Sequence, residues 1–140
     1  MSGSGAFLNV TGTYGLTSSE GYEEYLESIG VDPADRKAMA SSRQTVEIKQ
    51  EGDHYTLTTT TPARTHVEQF TLGQEYVATY DDGRPYKGIC RRDGNRVIQQ
   101  LKVGDFESTI VRQFADDGFE IMLRGADTDA KRTYGRPGPG

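Results

Sequence analysis

Two arginines and a tyrosine in the C-terminal third of the chain are the residues whose spacing points to chemistry. In Asp129-Ala130-Lys131-Arg132-Thr133-Tyr134, strand alternation puts Arg132 and Tyr134 on one face with Ala130 and leaves Asp129, Lys131 and Thr133 on the other. The three polar residues make a solvent face, so the guanidinium and the phenol are expected to point into whatever the sheet encloses. The segment Ser108-Thr109-Ile110-Val111-Arg112-Gln113-Phe114 repeats the device, with Arg112 on the face of Ile110 and Phe114. Burying a guanidinium without a counter-charge costs on the order of several kcal/mol, so two of them facing one interior call for an anion. No interior run of carboxylates is placed in the sequence to supply it. A ligand carboxylate would meet the demand, and so would an internal salt bridge, for instance with Asp82; the residues alone leave both open.

The elements that must position these groups are bounded by the totals. With 140 residues and a mass of 15.4 kDa, the chain has room for one core and no second domain. Hydrophobic residues make up 34% and the mean hydropathy is −0.69, low for a globular protein, yet eight tyrosines, five phenylalanines and regular alternation argue against disorder. A polar, partly hollow interior reconciles the two. The net charge of −5 disfavours nucleic acid as a partner, because phosphate neutralisation supplies most of that affinity. Cys90 is the one cysteine, so an intrachain disulfide is impossible, and a reducing, cytoplasmic setting is expected. No apolar stretch approaches the ~20 residues that span a bilayer, and no signal-peptide pattern opens the chain.

Along the chain, a first strand is expected around Leu8 to Thr17, followed by the one region with helical character. Ser19 can cap a segment in which Tyr22, Tyr25, Leu26 and Ile29 fall at helical spacing and Gly30 closes the turn. A second helix is expected from Pro33 to about Ser41, with Met39 as its main apolar residue. This helix-turn-helix has no base-reading face and is expected to act as a lid. From Thr45 onward short strands alternate with turn signals such as Glu51-Gly52-Asp53, Asp93-Gly94-Asn95 and Asp116-Asp117-Gly118, roughly ten residues apart, the signature of an antiparallel meander. So many strands in one small domain must close on themselves, since open edges invite aggregation.

At this point the residues match a family. Gly12-Thr13-Tyr14-Gly15-Leu16 followed by Gly21-Tyr22-Glu23-Glu24-Tyr25-Leu26 resembles the N-terminal signature of the cytosolic fatty-acid-binding proteins, the intracellular lipid-binding proteins of the calycin superfamily. Phe70-Thr71-Leu72-Gly73, Asp82-Gly83-Arg84, Ser108 to Arg112 and Arg132-Thr133-Tyr134 follow in the family's order. The resemblance implies a mainly β protein, a ten-stranded antiparallel up-and-down β-barrel (clam) with a helix-turn-helix lid, occupying 7–135 between flexible tails at 1–6 and 136–140. It implies a monomeric, non-enzymatic carrier without cofactor or metal, binding a long-chain fatty acid or similar hydrophobic carboxylate. Arg132 and Tyr134 would hold the carboxylate, with Arg112 direct or through water, and the apolar tail would lie along Val46, Ile48, Leu57, Leu101, Ile121 and Leu123. The rest of the implied ligand-binding set is Tyr22, Tyr25, Met39, Thr59, Asp82 and Arg84. A bulkier ligand (a retinoid, a bile-acid-like molecule or a pigment) and a stress-protective barrel with a vestigial cavity are the alternatives. Both arginines favour an acid over an alcohol.

The chain departs from the family pattern at Tyr14, where a tryptophan is usual, at Gly21, and at Pro62-Ala63-Arg64, where the portal turn often presents a phenylalanine. Glu20, Glu23, Glu24 and Glu27 make the lid acidic, so the transient membrane contact that the family allows through its lid is less favoured here on anionic lipid. Arg84 shares a face with Tyr86 and Cys90, to line the cavity or to pair with Asp82. Cys90 reads as a small buried wall residue. His54 and His66 lie in polar strand-like runs and are expected to be exposed or hydrogen-bonded; with two histidines and one cysteine no metal-ligand spacing is present. No nucleophile elbow or phosphate loop appears, so the sequence offers nothing to an enzyme reading.

Overall fold

The computed structural model describes residues 10–41, 43–62, 65–80, 83–125 and 128–135. Ten strands and two helices occur among them, in the order β1 (Gly12–Glu20), α1 (Tyr22–Ser28), α2 (Pro33–Ser41), β2 (Thr45–Glu51), β3 (His54–Thr60), β4 (Thr65–Thr71), β5 (Tyr76–Thr79), β6 (Pro85–Asp93), β7 (Arg96–Val103), β8 (Phe106–Ala115), β9 (Gly118–Arg124) and β10 (Asp129–Gly135). Every paired neighbour is antiparallel, and the sheet runs β4-β3-β2-β1-β10-β9-β8-β7-β6-β5. β1 pairing with β10 bends the meander round into a nearly closed barrel, and the one seam without a ladder lies between β4 and β5. There the connecting segment ties back elsewhere: Leu72 N–H donates to Asp53 O at 2.9 Å and Gly73 N–H to Cys90 O at 2.8 Å.

Alternation decides which residues face inward. In β2 Val46 and Ile48 are buried while Thr45, Glu47 and Lys49 are exposed, and β10 buries Ala130, Arg132 and Tyr134. One end of the interior is filled by aromatic rings: Phe119 stacks on Tyr134 with centroids 4.8 Å apart, meets Tyr14 edge-on at 4.9 Å and Phe114 at 5.1 Å. Such pairs add about 0.5–1.5 kcal/mol each beyond area burial, so this end is the firm base of the barrel.

The first strand differs from expectation. It begins at Gly12 and continues to Glu20, and residues 8 and 9 lie outside those described. Ser19 therefore caps nothing; it sits in β1 opposite Arg132. The cause is the ladder to β10, which absorbs an irregularity between Leu16 and Ser18 and still pairs Glu20 with Lys131. Helix α1 starts instead after Gly21, at φ 69°, where a Cβ would come within 3.0 Å of the Asp129 carbonyl oxygen; a left-handed residue pressed against backbone suits glycine. α1 buries Tyr22, Tyr25 and Leu26, at about 1.5–3 kcal/mol per large apolar side chain, whereas α2 buries Met39 alone. Gly30, at φ 83°, closes α1 by donating its N–H to Glu27 O at 3.0 Å, and the missing side chain leaves room for the Phe106 ring. The lid thus rests on the rim at α1 and is lightly held at α2.

Candidate functional site

The barrel encloses a cavity of about 110 Å³. One wall is built by β10, the end of β1 and the residue before β2. Arg132 is 2% exposed. Its Nε donates to Ser19 Oγ at 3.1 Å and Nη1 to Gln44 Oε1 at 3.3 Å, while its Cζ lies 3.9 Å from the centroid of the Tyr22 ring. Tyr134 donates its hydroxyl to the same Gln44 oxygen at 2.7 Å. The remaining nitrogen, Nη2, is buried with no hydrogen-bond partner, and no carboxylate among the described residues reaches salt-bridge distance of this guanidinium. A cation with three contacts, all neutral, and one unused donor is ready for an anion. Gln44 Oε1 marks where one oxygen of it would sit, between the arginine and the phenol.

The opposite wall is also polar. β4 turns His66 and Glu68 inward with Phe70, and Glu68 lines the cavity. Gln99 donates through Nε2 to Glu68 Oε2 at 3.3 Å and also to the Tyr76 hydroxyl, which itself donates to Glu68 Oε2 at 3.5 Å. Arg112, which shares its β9 ladder partner Ile121 with Arg132 and so stands two strands from it, reaches this group by donating from Nη1 to Gln99 Oε1 at 2.8 Å. Burial and then the Glu68 carboxylate hold the Tyr76 phenol well above its ordinary pKa, so it stays a proton donor. Burial pushes the Cys90 thiol, 4.0 Å from the Tyr76 hydroxyl, up to about 12. Tyr25 is likewise raised by burial, against the lowering effect of its bond to Ser108 at 2.5 Å.

The structure brings Tyr22, Val46, Thr59, Leu101, Arg112, Ile121, Leu123, Arg132 and Tyr134 together on the cavity surface, with Leu57 and Ile110 completing the apolar strip. Tyr25 of α1 and Met39 of α2 are buried in the core rather than on that surface, and Ile48 packs with Tyr55 and Phe70. Arg84 lies at the rim, its Nη1 3.2 Å from where a Gly30 Cβ would stand. Asp82, with Ala63 and Arg64 of the expected portal turn and both expected tails, lies outside the described residues.

Sequence reasoning missed Gln44, Ser19 as an arginine partner, and Glu68. The expectation is that no interior run of carboxylates is placed; Glu68 is a single inward carboxylate, and its signal is present, since His66, Glu68 and Phe70 alternate on one face. No group of three or more metal-ligating side chains occurs among the described residues, and no described helix is long and apolar enough to cross a membrane.

The family model described as "Lipocalin / cytosolic fatty-acid binding protein family" matches residues 11–120. Sodium/calcium exchanger regulatory protein 1 of Doryteuthis pealeii is 35% identical over 128 residues, covering 91% of this chain and 96% of the relative. Cellular retinoic acid-binding protein 2 of Mus musculus is 35% identical over 125 residues, covering 85% and 91%. Among solved structures, the fatty acid-binding protein from brain tissue of Drosophila melanogaster is 39% identical, with a TM-score of 0.83 over 91% of this chain and 99% of that one.

Proposed function

The chain belongs to the lipocalin and cytosolic fatty-acid-binding protein family, and from that premise we propose that it is a cytoplasmic, monomeric, non-enzymatic carrier of a long-chain fatty acid or similar hydrophobic carboxylate. The observation that carries the reading is Arg132, buried on the cavity wall with Nη2 unpartnered and no carboxylate among the described residues at salt-bridge distance. A ligand carboxylate replaces the neutral Gln44 acceptor with a charged one, accepting from the guanidinium fork and the Tyr134 hydroxyl. Such charge-assisted bonds are roughly twice as strong as neutral ones. Tyr22 braces the guanidinium from above, so the fork does not have to be ordered on binding. The tail runs over Val46, Leu57, Leu101, Ile110, Ile121 and Leu123, each buried methylene contributing about 0.8 kcal/mol.

Arg112 acts from two strands away on the same wall, since Ile121 on β9 is the ladder partner of both Arg112 and Arg132. The Arg112 guanidinium is held by Gln99, and it meets the ligand directly or through a bridging water. A retinoid acid is the second reading, favoured by the similarity to a retinoic acid-binding relative, since the same clamp suits any hydrophobic carboxylate. Extraction of the purified protein followed by mass spectrometry, with displacement of a fluorescent fatty acid by octadecanoate and by retinoic acid, tests both. Recovery of an acyl acid and displacement at micromolar concentration are expected. Neither acid competing, with no acyl lipid recovered, refutes the carrier reading.

A further inference from the structure

The apolar strip that would carry the tail covers only part of the cavity surface, and polar groups line the rest. Tyr86, on β6, is 4% exposed and lines the cavity, and its hydroxyl is buried without a hydrogen-bond partner among the described residues. Its ring meets that of Tyr76 edge-on at 5.9 Å, and Tyr76 is bonded in turn to Glu68 and Gln99. The placement of Tyr76 is enforced: its partner in the ladder is Gly88, where a Cβ would stand 2.9 Å from the Tyr76 ring and hydroxyl. Only a residue without a side chain leaves that ring its position. Along the sheet β4 lies three strands from β1, and β6 and β5 lie four and five strands from β10, so in the rolled barrel this group faces Arg132 across the cavity.

An unsatisfied buried hydroxyl carries an uncompensated desolvation cost, and a methylene chain laid against it and against a carboxylate would leave that cost in place. A hydrogen-bonding group on the ligand would remove it. Resting on the carrier reading above, we propose that Tyr86, with Glu68, Tyr76 and Gln99, forms a second polar subsite that recognises a hydroxyl group partway along the ligand's chain, so that the preferred ligand is a hydroxylated long-chain carboxylate. The carboxylate end binds at Arg132 and Tyr134, and the chain hydroxyl exchanges hydrogen bonds with the Tyr86 hydroxyl and donates toward the Glu68 side of the wall. Selectivity of this kind is strong because the unsubstituted acid leaves polar groups unpaired.

The test is competition of octadecanoate against monohydroxyoctadecanoates bearing the hydroxyl at carbon eight, ten or twelve, on the wild type and on Tyr86→Phe and Glu68→Leu. One hydroxy acid is expected to bind about tenfold or more tighter than octadecanoate to the wild type, and the ratio to fall to about twofold or less in Tyr86→Phe. That variant removes an unpartnered hydroxyl and keeps the ring, so its melting temperature is expected to be no lower than the wild type's; Glu68→Leu is the second probe of the same ratio. Octadecanoate binding with no hydroxy acid preferred overturns the subsite and leaves the carrier reading standing. A preference that survives Tyr86→Phe and Glu68→Leu overturns the assignment to these residues. Failure of octadecanoate and every hydroxy acid to bind overturns both.

Discussion

Replacing Arg132 by glutamine separates a binding arginine from a structural one. This guanidinium makes two hydrogen bonds to neutral acceptors, at 3.1 and 3.3 Å, and one ring contact at 3.9 Å. The bonds are worth about 0.5–1.5 kcal/mol each and the ring contact about 0.5–2 kcal/mol. Against them stands the desolvation of a buried cation, several kcal/mol after relaxation. The terms nearly cancel, so Arg132→Gln is expected to melt within about 1 kcal/mol of the wild type in the apo form. Binding behaves otherwise. A bond to a charged acceptor is worth about 1.5–3 kcal/mol, so octadecanoate affinity should fall roughly ten- to hundredfold. Calorimetric titration with octadecanoate and octadecanol reads this directly: the wild type prefers the acid, and the variant loses most of that preference. A variant that unfolds while its surviving fraction keeps full affinity for the acid would show that Arg132 is structural, and the reasoning from its unpartnered Nη2 would fall.

Amide exchange should show α2 opening before α1, because α2 is held by Met39 whereas α1 buries Tyr22, Tyr25 and Leu26; added ligand is expected to raise protection in α2 more than in β8, and equal protection of the two helices would move the entrance elsewhere. The alkaline side of the stability profile is set by buried acids. Cys90, raised to about 12, keeps its proton when folded and loses it in the unfolded chain near its ordinary value of about 8.5, so the unfolded state binds fewer protons and stability falls as pH rises from about 9 toward 12. Tyr76, Tyr25 and Tyr55 are shifted in the same direction. Denaturant melts between pH 8 and 11 check the slope, and iodoacetamide at pH 8 should label Cys90 far more slowly in the folded protein than in urea; equal rates would contradict its burial.

The inward faces of β8 and β10 were legible because period-two alternation is local: Arg112 shares a side with Ile110 and Phe114, and Arg132 with Ala130 and Tyr134, whatever the rest of the chain does. The turns were legible for the same reason. What could not be read locally was which distant residue meets which. Ser19 looked like a helix cap, since its immediate neighbours give that pattern, and only the pairing with β10 carried the strand past it to Glu20. Gln44 lies 88 residues from Arg132 in the chain, and nothing in its own segment marks it as the acceptor for both arginine and phenol. Glu68 is legible in the same local way, because it alternates with Phe70 on the inward face of β4.

The low hydrophobic content has its explanation in the two walls. Arg132, Gln99, Ser108 and Gln44 are all buried among otherwise apolar core residues, and buried polar groups contribute little net stability even when paired. A protein selected for stability alone would fill this space with leucine, as cores packed to full density do. The barrel instead keeps its rings at the base, where Phe119 meets Tyr14, Phe114 and Tyr134, and leaves its polar groups facing one another across open volume. The unused hydrogen-bonding capacity at Arg132 Nη2 and at the Tyr86 hydroxyl is costly to bury, and on the proposal above one molecule would relieve it at both points only by being polar at one end and again partway along its chain.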